Sequence, residues 1–429
     1  MGTGMGGANP RRLALEVLEK TARGQYANLA LDAALQKAAL SPADRGLATA
    51  LVYGVLEKQW RLDYAIPFYA NRPPAELTPE VLQLLRLGLY QLCFLERVPD
   101  HAAVNETVAL ASRRTAGFVN AVLRAVIRGG KALPLPPEEP FAAWLAVRYS
   151  VAPALAERLL SDLGREKTVA FLGALETPPP LTLRVNTLRT TREELLAALQ
   201  TAGLDARPAP ASRSGILLPG GAAVRELPGF DAGLFFVQDE ASQLAVEALD
   251  ARPGMRVLDV CACPGSKSFG LAMEMENTGS LLACDLHRSK LSLVECGAQR
   301  LGIGILSVLE RDARTALPGW EAGADRVLCD VPCSGFGVLG KKPELRGKDP
   351  AESAGLPEIQ LAILSRSATL VRPGGRLVYS TCTVLPAENG QNVARFLAGR
   401  SDFRLCAERT LFPDTDGTDG FYFAVLERI

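Results

Sequence analysis

The sequence predicts a multidomain chain: an all-α N-terminal part, a small α+β middle module and a C-terminal α/β domain built on a parallel sheet. Three observations carry this. From Arg11 to about Lys131, apolar residues recur at helical spacing with helix start and stop signals. Gly129-Gly130, then Pro134, Pro136, Pro137 and Pro140, interrupt the chain. From Gln238 onward, short strand-like apolar segments alternate with helical stretches, the pattern of a parallel sheet covered by helices on both faces. The 429 residues agree, since about 150 residues per domain gives roughly three domains.

The implied division is residues 1–130, helical; 131–140, a linker; 141–236, a helical stretch plus the α+β module; and 237–429, the α/β domain. In the first part, Thr78 is an N-cap and Pro79 occupies the first helical position, where a missing N–H costs nothing. Val81, Leu84, Leu85, Leu89 and Leu92 form a buried stripe, and Pro99 is expected to end that helix. A second helical stretch, Val104–Ala111, precedes Gly117-Phe118-Val119-Asn120-Ala121-Val122-Leu123-Arg124. Arg113, Arg114, Arg124, Arg128 and Lys131 cluster here; taken alone, such a cluster reads as a solvated helix face.

Helical pattern runs from Phe141 to about Glu176 and breaks at Pro178-Pro179-Pro180. Leu181–Asn186 alternates as a strand, and Thr191 with Glu194 forms a capping box that opens a helix through Leu199. Short apolar runs follow at Gly215–Leu218 and Leu234–Val237. In the last domain, strands are expected at Arg256–Val260, Ser280–Cys284, Ile305–Leu309, Arg326–Leu328 and Arg376–Tyr379. Gly420–Leu426 reads as a further strand, antiparallel at an edge.

Lys plus Arg equals Asp plus Glu, 47 of each, which excludes a strongly basic, non-specific nucleic-acid coat. Nine Cys, an odd number without framework spacing, argue against a disulfide scaffold. Met1–Pro10 is Gly-rich and lacks the apolar core of a signal peptide. No apolar run is long enough to span a bilayer. The expectation is a cytoplasmic protein with reduced thiols. With two His, a metal site or a Ser–His–Asp triad has little material; Cys and Asp are left to do the chemistry.

Five features carry that chemistry. Val257–Ser268 reads as a strand, a tight turn and a helix, the place where a doubly wound sheet holds a nucleotide-like ligand. Its core, Cys261-Ala262-Cys263-Pro264-Gly265-Ser266-Lys267, is neither Gly-x-Gly-x-x-Gly nor a phosphate loop. Free N–H groups at the helix start suit a carboxylate, such as that of the methionine moiety of S-adenosylmethionine. A purely structural turn is the plainer alternative. Asp285 ends the next strand, where a carboxylate accepts from ribose hydroxyls or simply caps a helix. Asp312, past the third strand, is within reach of an adenine edge. Cys329-Asp330-Val331-Pro332-Cys333-Ser334-Gly335 and Val378-Tyr379-Ser380-Thr381-Cys382-Thr383 end two strands at the same sheet edge. Buried structural Cys is the usual reading of each thiol, but both lie in turns.

Two thiols, an acid and an anionic cofactor fit one reaction. Carbon 5 of cytosine is a poor nucleophile. A thiolate added to carbon 6 makes it enamine-like, a carboxyl group at N3 stabilises the developing charge, and a second thiol serves as base for release. Lys267 or a helix N-terminus would favour the thiolate.

These motifs resemble those of the RNA cytosine-C5 methyltransferases, in which the Thr-Cys thiol attacks and the Pro-Cys thiol assists release. Gly117–Arg124 is similar to the NusB RNA-binding fold. NusB-like helices fused to a class I, Rossmann-like methyltransferase domain resemble the RsmB (Sun, Fmu) family, which modifies 16S ribosomal RNA. The middle segment with Arg184-Val185-Asn186 resembles that family's RNA-contacting insert, here RRM-like. The resemblance spans essentially the whole chain.

It implies S-adenosylmethionine as cofactor, held by Cys261 to Lys267, Asp285, Asp312 and Asp330. It implies Cys382, Cys333, Asp330 and Lys267 as catalytic residues. For RNA contact it implies Arg113, Arg114, Arg124, Arg184, Asn186, Lys341 and Lys342. The implied partner is 16S rRNA, at the family-type position cytosine 967, with no metal, no membrane and a monomeric chain. The chain departs from the pattern at Ser266, where the family has Gly, a costly change if that position needs positive φ. It departs again at Gly340-Lys341-Lys342, where related sequences carry Arg. Two other readings stay open: a tRNA cytosine-C5 methyltransferase, and a non-catalytic RNA-binding assembly factor with a decayed methyltransferase domain.

Overall fold

The computed structural model describes residues 9–220 and 222–429. Residues 1–8, and with them most of the Gly-rich start read as lacking a signal peptide, lie outside the described residues. Contacts group the chain into two compact units, residues up to 173 with Lys341–Pro350, and Ala174–Gly340 with Ala351–Ile429.

The first unit is helical. It contains α1 (Pro10–Ala22), α2 (Ala27–Lys37), α3 (Pro42–Ala70), α4 (Pro79–Phe94), α5 (Asp100–Val108), α6 (Ala116–Arg128), α7 (Phe141–Arg148) and most of α8 (Pro153–Ala174). Thr78 caps α4 by accepting from the N–H of Val81, and the stripe Val81, Leu84, Leu85, Leu89 and Leu92 is buried as expected. Pro99 does not end α4, which stops at Phe94; it is the N-cap of α5, where its missing N–H costs nothing. One apolar cluster joins α1, α2 and α3, and another joins α3, α4, α5 and α6.

The division by compactness differs from the sequence reading, which grouped residues 141–173 with the α+β module. Helix α7 packs on α3. The N–H of Trp60 donates to Ser150 Oγ at 3.1 Å, and the N–H of Ala152 to the Arg346 carbonyl at 2.7 Å. These polar groups find their partners in the helical unit, and residues 141–173 stay with it.

The second unit begins with a four-stranded antiparallel sheet in the order β2 (Arg207–Pro208), β3 (Gly215–Leu218), β1 (Leu181–Val185), β4 (Phe235–Val237). Helix α9 (Arg192–Thr201) covers it with Leu195 and Leu199, and the Thr191–Glu194 capping box is present. β2 escaped the sequence reading because it is two exposed residues long.

The larger sheet has seven strands. β5 (Arg256–Asp259), β6 (Ser280–Asp285), β7 (Leu306–Glu310), β8 (Ala324–Asp330) and β9 (Val371–Thr381) are parallel. The order is β10-β11-β9-β8-β5-β6-β7, where β10 is Phe403–Leu411 and β11 is Phe421–Arg428. β11 runs antiparallel as expected, but it is not an edge. It pairs with β9 on one side and β10 on the other. β10 is the edge, and seven of its nine residues are exposed, so no apolar pattern marks it.

Helices α10 (Glu240–Leu249), α11 (Ser266–Glu274) and α12 (Arg288–Leu301) cover one face. α13 (Leu356–Ala368) and α14 (Gly390–Ala398) cover the other. The chain runs β5 to β7 in one direction, then resumes at β8 on the far side of β5. The carboxyl ends of β5 and β8 therefore flank a topological switch point, where open α/β sheets hold their ligands.

Candidate active site

Every expected chemical motif of the second unit reaches that carboxyl edge. β5 feeds Cys261 to Lys267, β6 ends in Asp285, β8 ends in Asp330 and leads to Cys333, and β9 leads to Cys382. The turn after β5 works because Gly265 adopts φ 111° as N-cap of α11; a Cβ there would lie 2.6 Å from the Phe269 ring. Ser266 is the first helical residue and is not among the positive-φ positions. The departure from Gly at 266 therefore brings no backbone strain.

The two thiols meet because β8 and β9 are parallel neighbours with Asp330 opposite Ser380. Cys333 Sγ and Cys382 Sγ lie 3.1 Å apart, and the Cys382 N–H points at Cys333 Sγ at 3.3 Å. Neither is joined in a disulfide, and both are partly exposed. Beside them, Lys267 Nζ donates to Asp330 Oδ2 at 2.7 Å, and the Ser380 hydroxyl donates to Asp330 Oδ1 at 2.7 Å. The Lys267 ammonium also sits 5.3 Å from the Phe421 ring centre.

The electrostatics separate the groups. Burial alone would lower the Lys267 ammonium pKa, but Asp330, Cys382 and Asp259 outweigh it and hold the cation charged. Cys333 is pushed up by its hydrogen bond with Cys382, then by burial and by the charges of Cys382, Glu388 and Asp330. Burial also pushes up Cys261, and it pushes Cys329 to about 12. Cys263 rises to about 12 through burial and Asp285. Asp259, beneath the turn, rises to about 7 by burial, although the Ser268 hydroxyl donates to it at 2.6 Å.

Asp285 accepts from the N–H of Cys263 at 3.2 Å and of His287 at 3.0 Å. It stands beside Leu286, an exposed apolar side chain. An acceptor, an apolar surface and the start of α11 together fit a nucleoside with a carboxylate tail. Asp312 is partly exposed, and the Arg314 guanidinium and N–H hold it down at about 2.

Sequence reasoning missed the support behind the thiols. Glu388 accepts from the Ser334 N–H, Gln360 donates to the Pro332 carbonyl, and Asn389 bonds to Thr381 and Thr383. Glu388-Asn389, a few residues past Thr381-Cys382, is the only trace in the sequence, and it reads like any helix start.

Two expected RNA contacts are corrected. Arg184 is buried, ion-paired to Glu274 at 2.8 Å and bonded to Gln238. Asn186 is buried, and its amide donates to the carbonyls of Gly233 and Leu301. Neither presents a polar group to RNA; both tie β1 to the large-sheet region. Arg113, Arg114 and Arg124 are exposed on the helical unit. Lys341 and Lys342 belong to that unit as well, and Lys342 lies over the Tyr26 ring at 5.5 Å.

Comparison with known proteins gives three matched stretches, the middle one of which crosses the boundary at residue 173 and joins residues 154–173 to the α+β module. The family described as 16S rRNA methyltransferase RsmB/F matches residues 246–427, the NusB family matches 8–128, and the RsmF/B-like ferredoxin-like domain matches 154–225. A Bacillus subtilis protein described as probable ribosomal RNA small subunit methyltransferase B is 38% identical, over 97% of this chain and 98% of its own. Its counterpart in Synechocystis is 36% identical, over 97% and 99%. The crystal structure of PH0851 matches with a TM-score of 0.84 at 27% identity, over 98% of both chains.

Proposed function

Since the chain belongs to the RsmB/F family of 16S rRNA methyltransferases, we propose that it methylates carbon 5 of a cytosine in that RNA, with Cys382 as covalent nucleophile. The family's activity, methylation of ribosomal RNA with S-adenosylmethionine as donor, is the starting point. One observation carries the finer reading: two thiols outside any disulfide, 3.1 Å apart, beside a Lys267–Asp330 pair.

S-adenosylmethionine supplies, when bound, an electrophilic methyl group. The residues expected to hold it are Cys261 to Lys267, Asp285, Asp312 and Asp330. Lys267 favours the Cys382 thiolate, which adds to carbon 6 of the ring. Asp330 relays a proton from the Lys267 ammonium, which donates to it, to N3 and so neutralises the charge that develops there. After carbon 5 is methylated, Cys333, having lost its own proton to solvent, accepts the carbon 5 proton. Cys382 then leaves as thiolate and the N3 proton returns through Asp330 to Lys267. One proton is released in all, as the overall reaction requires.

Labelled methyl groups are expected to enter small-subunit RNA, and bisulfite sequencing to place them on one cytosine, position 967 by the family type. Label appearing in tRNA instead would change the substrate. Replacing Cys333 by Ala should trap a covalent protein–RNA adduct, and replacing Cys382 by Ala should give none. The reverse pattern would exchange the two roles. The decayed-domain reading drew on Ser266, which carries no strain; calorimetry that found no S-adenosylmethionine binding would revive it.

A further inference from the structure

Glu388 is only 2% exposed, yet it carries a carboxylate. Its Oε2 accepts from the Ser334 N–H at 2.9 Å and from the Gln360 amide at 2.7 Å. The same Gln360 amide donates to the Pro332 carbonyl at 3.0 Å. The carboxylate thus holds the residues on both sides of Cys333. Its neighbour Asn389 does the same for Cys382: it accepts from the Thr381 hydroxyl at 2.5 Å and donates to the Thr383 carbonyl at 3.0 Å. The hydroxyls of Ser334 and Thr383 close the frame at 2.8 Å.

A glutamine at 388 would serve the same two donors without a buried charge, which is costly to keep. What the carboxylate adds is its sign. Cys382, Glu388 and Asp330, all acidic, act on Cys333; the Lys267 ammonium is paired to Asp330 and acts on Cys382. We propose that Glu388 is a positioning residue that frames the Cys333 loop and, through its negative charge, makes the two adjacent thiols unequal in reactivity, with Cys382 the more reactive. This rests on the covalent reading of the pair. A thiol held protonated in the resting enzyme is also the stronger base once its proton is gone.

The test is iodoacetamide labelling of the full-length protein across pH, with each thiol followed by mass spectrometry. In Glu388→Gln, labelling of Cys333 relative to Cys382 near pH 8 should rise about tenfold, the effect of one pKa unit. Its kcat should fall while KM for RNA holds within about twofold. Glu388→Asp, which retains the charge, should return the wild-type ratio. An unchanged ratio in folded Glu388→Gln overturns the proposal. Should that variant fail to fold, the wild type decides, because Cys382 must label faster than Cys333, and the opposite order overturns the proposal. Labelling needs no RNA, so failure of Cys333→Ala to trap an adduct sinks the covalent reading separately.

Discussion

A thiol attacks only as thiolate, so the chemistry at Cys382 turns on the charges around it. Lys267 is the near cation, kept charged by Asp330. Lys267→Met should slow Cys382 alkylation at neutral pH by about tenfold and move its titration upward; an unchanged titration would remove Lys267 from nucleophile activation. Asp259 makes a separate prediction. Its folded pKa of about 7 lies above the unfolded value, so the native state binds the proton more tightly. The stability this adds is complete below about pH 4 and is lost as pH rises toward 7, each unit of displacement being worth about 1.4 kcal/mol. Asp259→Asn should flatten that part of the Tm–pH curve, and an unaltered slope would assign it to other groups. At this scale the thiols, Asp330 and Lys267 were legible because their motifs are local in sequence. Glu388 was not, because the Ser334 N–H it accepts from is 54 residues away; Asn389 was not, because Glu388-Asn389 reads like any helix start.

Strands and helices decide which side chains reach the site. The parallel β8–β9 register puts Asp330 opposite Ser380, and a slip by one residue would turn the following loops away from each other. β1 is locked to α11 by Arg184 and Glu274, and Gly270 makes room: a Cβ there would lie 2.6 Å from the Arg184 guanidinium. Arg184→Ala should cost about 3 kcal/mol in urea unfolding, because a buried pair is broken, and leave RNA affinity of the folded protein within about twofold. Reduced affinity at unchanged stability would return Arg184 to the RNA interface. The resemblance to an RNA-contacting insert suggested contact with RNA; burial of the strand and the partner 90 residues away decided otherwise.

Across the whole molecule, zero net charge makes RNA binding a matter of local patches. Arg113, Arg114 and Arg124 are each exposed on the helical unit. Replacing all three by Glu should weaken binding of small-subunit RNA. It should also reduce the logarithmic salt slope by about 0.7–0.9 for each RNA phosphate these side chains neutralise, as measured by filter binding between roughly 50 and 200 mM salt. An unchanged slope would leave these residues as the plain solvated face. Among the described residues, no helix is long and apolar enough to cross a membrane.

The sequence by itself determined the three kinds of architecture, the parallel sheet and the turns that carry the chemistry, because periodicity, capping and strand-end motifs are written within a few residues. Tertiary structure alone decided that β10 rather than β11 is the edge, that the stretch around Ser150 and Ala152 bonds to the helical unit, and that Arg184 and Asn186 face inward. It also set the separation of the two thiols, 49 residues apart in the chain, at 3.1 Å. Those outcomes depend on which distant backbone groups and charges must be satisfied on burial, and that requirement exists only once the chain has packed.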